Sequence, residues 1–314
     1  MKNRQDNGTN RGSQIMKAIS FGEILWDIIE NKAHIGGAPF NLTAHLAKMG
    51  MRSYIISALG DDDLGHQAMD KVKSFNMNDS YISVLKKYPT GTVDVELTGD
   101  GMPTYIIHED TAWDNIVLTK EQLNKLSSEN WDVFCFGTLA QRTESNRKLL
   151  FETLENISAK HIFYDVNLRQ EYYRKEWIET SLHKSTIVKV NDEEAVFLSK
   201  QLFNKEMPEK DFAEKLSNKY NIELVCITRG GEGVAIYHNN NFIEIPSVKV
   251  KVADTVGAGD SFSAGFLYAY LSGKNPQEAA NFAVKVGGFV ASSFGAIPDY
   301  SENIKKEIDN LNYG

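Results

Sequence analysis

Short apolar runs alternate with amphipathic stretches along most of this chain, and no other feature restricts the fold as strongly. KAISFGEIL (17–25), RSYIISALG (52–60), DVFCFG (132–137), HIFYDVN (161–167), STIVKVN (185–191) and ELVCITRG (223–230) read as strands rich in β-branched and aromatic residues. Helical periodicity fills most of the intervals, at Asn41–Lys48, Gly65–Phe75, Thr143–Ile157, Asp192–Leu198 and Asp211–Tyr220. Strands that alternate with helices predict an α/β fold, a mostly parallel central sheet covered by helices on both faces. A meander then follows, GVAIYHNNNFIEIP, turning on HNNN, and long helices close the chain. Residues 25–36 and 91–109 fall outside the alternation and read as extended segments that pair into a small accessory sheet. The polar start MKNRQDNGTNRGSQIM (1–16) reads as a disordered leader, and residues 17–314 as one α/β domain with no internal boundary.

Composition narrows the function classes. A net charge of −8 over 314 residues argues against nucleic acid or an anionic membrane as partner, though not against a small anion in a local pocket. No apolar run approaches the roughly 18 residues of a membrane span, and the leader lacks the apolar centre of a secretion signal. A cytoplasmic protein is expected. The two cysteines, Cys135 and Cys226, lie in strand-like runs and read as reduced core residues. The seven histidines form neither HExxH nor a Cys/His cluster, so no zinc site is assigned.

DTVGAGD (254–260) carries the first chemical signal. Val248, Val250 and Val252 alternate with Lys249 and Lys251 as in a half-exposed strand, and an apolar helix pattern starts directly after the glycines. Asp260 therefore falls in the first turn of a helix opened by Gly257, Ala258 and Gly259. The Rossmann fingerprint fails, because Phe262 stands where its third glycine belongs; GxxxxGK[ST], HRD and DFG are absent. What remains is a set of backbone N–H groups beside a carboxylate, suited to holding a phosphoryl group while a hydroxyl gives up its proton. A helix start whose Asp complements the dipole reads equally well from these residues alone. The N–H groups predict a carboxylate held in its ionised form.

GGAPFN (36–41) is the second. A glycine pair allows close backbone approach, Asn41 offers both donor and acceptor, and Asp27 lies shortly before, at the end of the first strand. Asp and Asn beside glycine backbone suit the gripping of sugar hydroxyls; a plain turn and helix start fits the same residues.

Gly36, Gly37, Asn41, Thr43, Gly50 and Gly60 stand at the spacing of the N-terminal signature of the ribokinase-like (PfkB) carbohydrate kinases, and DTVGAGDSFSAGFL is similar to that family's C-terminal signature at every position. The resemblance runs from about Phe21 to Asp299. It implies the ribokinase-like fold with a small β-sheet lid near 25–36 and 91–109. It implies Asp260 as catalytic base, Gly257, Ala258 and Gly259 as anion hole, and Asp27, Gly36, Gly37 and Asn41 as sugar ligands, with ATP as co-substrate. NDEEA (191–195) resembles the family's NxxE motif. Asn191 and Glu194 would then organise Mg²⁺ through water from one helical face, although an acidic helix start is the plainer reading. TRGGEGV (228–234) resembles the nucleotide-side turn, with Thr228, Gly230 and Gly233 near phosphate or ribose, or else is a simple hairpin turn. AVKVGGFVASSFGAIP (283–298) resembles the border of the adenine and of a monovalent cation site, where Asp254 and the carbonyls of Val256, Val290, Ser293 and Gly295 would hold K⁺. Paired lid edges would make a homodimer.

For the sugar, FGEILWDI resembles the start of fructokinases and YDVNLR their DPNxR segment, with Val166 in place of proline. Asn167 and Arg169 would meet a ketose, with Tyr105 and Trp113 as aromatic walls unless they serve the core. Arg169 could instead be a surface helix-start residue, or fork onto a carboxylate, which makes 2-keto-3-deoxygluconate kinase the runner-up. Ribokinase is a further relative. A sugar sensor without turnover would lack Asp260 or an anion-hole glycine; both are present.

Overall fold

Along the interior strands every second residue faces a different apolar layer, as in a parallel sheet buried on both sides. The computed structural model describes residues 15–30, 32–97 and 103–313. In chain order its strands and helices are β1 (Lys17–Phe21), β2 (Leu25–Ile29), β3 (Lys32–Gly36), α1 (Ala38–Lys48), β4 (Arg52–Gly60), α2 (Asp63–Ser74), β5 (Ile82–Leu85), β6 (Gly91–Leu97), β7 (Pro103–Ile107), α3 (Lys120–Ser128), β8 (Asn130–Gly137), α4 (Glu144–Asn156) and β9 (Ser158–Asp165). There follow α5 (Lys175–Lys184), β10 (Ile187–Asn191), α6 (Asp192–Phe203), α7 (Glu209–Tyr220), β11 (Leu224–Thr228), β12 (Val234–His238), β13 (Asn241–Ile245), α8 (Ala258–Leu271), α9 (Pro276–Ala291) and α10 (Glu302–Tyr313).

Among the described residues nine strands form the main sheet in the order β13-β12-β11-β10-β9-β8-β1-β4-β5, and four form a small sheet in the order β3-β2-β6-β7. The main sheet is parallel from β5 to β11, and β12 and β13 are added antiparallel. Phe134 and Phe136 of β8 point into the layer under α4 to α7, whereas Val133 and Cys135 point into the layer under α1, α8, α9 and α10. The expected α/β architecture with an accessory sheet is the one found. Asn239 and Asn240, both at positive φ (50° and 63°), close the β12–β13 hairpin within HNNN.

Several expectations need correction. KAISFGEIL is not one strand: it breaks after Phe21, so Asp27 lies within β2 of the small sheet rather than at the end of the first strand. Residues 246–252 form no strand. Val248 and Val250 touch α9, 3.7 Å from the Cβ position of Gly288, yet both remain partly exposed, and Val252 is exposed. Helices α3 and α5 and strand β5 escaped the sequence reading, and α1 begins three residues before Asn41. Apart from Ile15 and Met16, the expected leader lies outside the described residues; the Met16 carbonyl already accepts the Arg52 N–H at 2.9 Å.

At the foot of the small sheet, Arg142 forks onto Asp114 at 2.6 and 2.7 Å and donates to the His108 carbonyl at 2.5 Å. Its guanidinium lies over the rings of Trp113 (4.1 Å) and Tyr172 (4.7 Å). Trp113 is therefore fully buried core and not an aromatic wall.

Candidate active site

Ligands in open α/β sheets sit beyond the carboxyl ends of the parallel strands, and the singled-out residues gather there. Gly257 takes up φ 76° and opens α8 without any side-chain cap. The N–H groups of Gly257, Gly259 and Asp260 find no protein acceptor among the described residues, which leaves donors at the start of α8 for a ligand anion. The first turn thus keeps its donors free beside a carboxylate.

Asp260 accepts a hydrogen bond from Asn41 Nδ2 at 2.8 Å. Burial pushes its pKa up to about 6, against the opposing influence of Asn41, Lys189 and Arg169. The shift runs against the expected pull of the N–H groups: desolvation outweighs the favourable donors, and the carboxylate, still ionised above about pH 6, becomes a stronger base than an exposed one. Asn41 is buried on α1 and spends its amide N–H on Asp260, while its Oδ1 has no partner. It holds the candidate base, a role the sequence did not suggest.

Asp27 lies opposite His34 on β3. Burial raises its pKa to about 6, partly offset by His34 and Arg169. A Cβ on Gly36 would come within 2.6 Å of Asp27 Oδ2, so Gly36 clears room for this carboxylate. Gly37 has φ 105° and lies against the Glu23 carbonyl, 2.5 Å from its Cβ position; no other residue type fits there without strain. Asn167 (φ 40°) and exposed Arg169 follow β9, and Arg169 lies within electrostatic reach of Glu23, Asp27 and Asp260. Val166 donates its N–H to the Lys189 carbonyl at 3.0 Å, adding a ladder bond that proline cannot make. Tyr105 is half exposed on β7, and its carbonyl accepts from Gln170 at 2.5 Å, joining the lid to the loop after β9.

On the nucleotide side, Asn191 and Thr228 are register partners at the ends of β10 and β11. Asn191 is the N-cap of α6, not a member of its face, and forms a capping box with Glu194. The Glu194 carboxylate accepts the N–H groups of Asn191 (2.8 Å) and Leu168 (2.7 Å). Gly230 has open space at its Cβ position; a Cβ on Gly233 (φ 108°) would come within 2.7 Å of the Ser247 nitrogen, and Gly233 belongs to the β11–β12 hairpin turn. Asp254 gathers the other loop: its Oδ1 accepts from the Val256 N–H (3.0 Å) and its Oδ2 from the Gly295 N–H (3.3 Å). The Val290 carbonyl takes the Ser293 N–H at 2.9 Å.

Three charged residues were missed. Lys189 lies buried on β10, donating to both oxygens of Asp165 on β9 at 3.0 and 2.9 Å. Its Nζ is 3.6 Å from the Cβ position of Gly259. Burial opposes its charge, but Asp165, Glu194 and Asp260 outweigh that and raise its pKa. Glu23, after β1, is almost fully buried, and its pKa rises to about 7 through burial, opposed by N–H donors of Glu23 and Ala38 and by Arg169. A signal existed: a Lys and an Asp, each inside an otherwise apolar strand, are tolerated only when paired.

Residues 15–303 match the profile of the pfkB family carbohydrate kinases. The chain belongs to that family. A fructokinase of Salmonella typhimurium is 27% identical over 253 residues, 77% of this chain and 79% of its own. The crystal structure of an uncharacterized sugar kinase from Pyrococcus horikoshii in complex with ATP is similar with a TM-score of 0.79 at 27% identity, over 94% of this chain and 99% of the other. A fructokinase from Vibrio cholerae O395 in a fructose-, ADP- and calcium-bound form shares the fold, with a TM-score of 0.80 at 20% identity over 94% and 99% of the two chains. The pfkB kinase fold is thus the ribokinase-like one that the sequence resemblance implied. Among the described residues no helix is long and apolar enough to cross a membrane.

Proposed function

We propose that this pfkB kinase transfers the γ-phosphoryl group of ATP to a sugar hydroxyl, with fructose as the preferred acceptor and Asp260 as the base. One observation carries the reading: a half-buried carboxylate of raised basicity, held by Asn41, adjoins the uncapped N–H groups of Gly257 and Gly259. The Pyrococcus horikoshii relative with bound ATP and the Vibrio cholerae relative with bound fructose and ADP support the same pair of ligands.

Asp260 accepts the hydroxyl proton late, as the oxygen bonds to phosphorus and becomes acidic. The α8 N–H groups and Lys189 face the charge on the transferring phosphoryl. Asp27 and Asn167 orient the hydroxyls, and Arg169 covers the ring. Asn191 and Glu194 are hard oxygen donors suited to Mg²⁺. Both Glu194 oxygens already accept backbone N–H groups, so these residues fit a hydrated ion held through its waters. Bound Mg²⁺ supplies charge neutralisation at the phosphates. Asp254, with the carbonyls of Val256, Val290, Ser293 and Gly295, is the donor set for K⁺. The β3 and β7 edges of the lid are the surfaces for a homodimer.

Three carboxyl groups (Glu23, Asp27, Asp260) lie within electrostatic reach of Arg169, an acidic setting that disfavours an anionic sugar and ranks fructose above 2-keto-3-deoxygluconate. An ADP-release assay over a sugar panel tests this. A kcat/KM for 2-keto-3-deoxygluconate tenfold above that for fructose, about 1.4 kcal/mol of transition-state binding, reverses the ranking.

A further inference from the structure

Helix α1 has a second polar grip beyond Asn41, on the same face. Asn41, His45 and Lys48 are spaced by four and three residues, so they line up along the helix. His45 is completely buried. Its Nδ1 lies 2.6 Å from the Tyr300 hydroxyl and its Nε2 2.9 Å from the Ala296 carbonyl. A carbonyl only accepts, so Nε2 carries the proton, and Nδ1 must then accept from Tyr300 O–H. Burial lowers the pKa of His45 to about 4, which keeps this single neutral tautomer over the working range. Tyr300 stacks on the imidazole at 5.7 Å between ring centroids. Lys48 adds a bond to the Pro298 carbonyl at 2.7 Å.

The same Ala296 carbonyl oxygen lies 2.8 Å from the Cβ position of Gly257, with Ala296 Cα at 2.7 Å. Ala296 is thus the backstop against which Gly257 adopts its left-handed conformation and opens α8. One carbonyl joins His45 to the first residue of the candidate anion hole, while Asn41, one turn earlier, holds Asp260.

We propose that His45 is a positioning residue for phosphoryl transfer. By holding the Ala296 carbonyl it fixes Gly257, and α1 thereby sets the distance between base and anion hole from two points. The inference rests on the kinase reading of the site. It concerns geometry on the nucleotide side, so its effect belongs in kcat and in ATP affinity, not in sugar affinity.

The test compares His45→Ala, His45→Gln and His45→Asn with the wild-type chain, each checked for folding by circular dichroism and melting temperature. The Gln amide reaches about as far as Nε2 and can donate to Ala296; the Asn amide is too short. Expected are a fall in kcat of tenfold or more and a rise in ATP KM for His45→Ala, with sugar KM within twofold. Gln should restore most of kcat and Asn little of it. A folded His45→Ala within twofold of wild type in kcat and ATP KM overturns the proposal, as does equal impairment of all three variants, which indicates packing alone. Should no His45 variant fold, Tyr300→Phe decides, since it removes only the hydroxyl that donates to Nδ1 and holds the ring against Ala296. A threefold loss of kcat with sugar KM unmoved sustains the proposal, and unchanged kcat overturns it. If the wild type phosphorylates no sugar in the panel, calorimetric binding of a non-hydrolysable ATP analogue separates the two ideas. A tenfold weaker affinity in His45→Ala sustains the positioning role, equal affinity overturns it, and a wild type that binds no nucleotide overturns both.

Discussion

Helices α1 and α8 both open on a glycine at positive φ without a side-chain cap of their own, and both carry a polar residue in or near the first turn. Their N-termini are used in opposite ways. At α1 the Ala38 N–H faces the buried carboxyl group of Glu23, so the protein supplies its own acceptor. At α8 the corresponding donors are left free, and the nearby acid, Asp260, is turned towards Asn41. The difference teaches that a glycine-opened helix becomes a ligand site only where the protein withholds the counter-charge. The two helices then interlock, since the polar face of α1 holds the start of α8.

The largest effect in this comparison is expected from Asp260→Asn, which keeps shape but takes no proton. Its kcat should fall by on the order of 10²–10⁴ while sugar affinity changes far less; steady-state kinetics with direct sugar binding checks this, and near-normal kcat breaks the catalytic half of the contrast. Next comes Gly257→Ala, whose methyl group would lie 2.6 Å from the Ala296 Cβ. A displaced anion hole should lower kcat by on the order of 10–100. Gly37→Ala, pressed against the Glu23 carbonyl, should instead cost about 1–3 kcal/mol of stability, measured by denaturant unfolding.

Acidity sharpens the contrast further. Asp260 must be ionised to act, and its pKa is about 6. kcat/KM should therefore drop about tenfold per pH unit below that value and level off above it. A profile flat down to pH 5 contradicts this. The smallest expected effect concerns Glu23, whose folded pKa of about 7 lies above its ordinary 4.5. Stability from such a group is present at low pH and is lost as pH rises through 7, because the buried carboxyl must then ionise. Glu23→Gln does not titrate, so relative to wild type it should gain about 1–3 kcal/mol at pH 8.5 compared with pH 5.5. Equal melting-temperature differences at the two pH values would place Glu23 in contact with water.

How much of this was legible depends on distance along the chain. The parallel sheet could be read because two-sided burial marks each strand locally, and DTVGAGD could be read because donors and carboxylate lie within seven residues. That Lys189 and Asp165 are each other's partner could not, since 24 residues separate them and only the β9–β10 register brings them together. His45 looked like any polar residue on a helix until Tyr300 and Ala296 arrived from the far end of the chain. The valines at 248–252 misled because an extended loop has the same period of two as a strand without any ladder to pair it, and all three stay exposed.

The small sheet has a consequence for the order in which the chain assembles. Strand β2 pairs in parallel with β6, Leu25 against Gly91 through Ile29 against Val95, and the intervening segment must first build β4, α2 and β5 on the main sheet. β1 itself stays unpaired on one side until β8 has been made. The lid therefore closes a long loop on a scaffold that is itself unfinished when β6 emerges, and it belongs to the late, least protected part of folding. A nascent chain that ends before β6 presents β2 and β3 as a hairpin without the strand that β2 pairs with on its other edge. Chaperone dependence during synthesis should then concentrate in that interval, long before Asp260 has been translated.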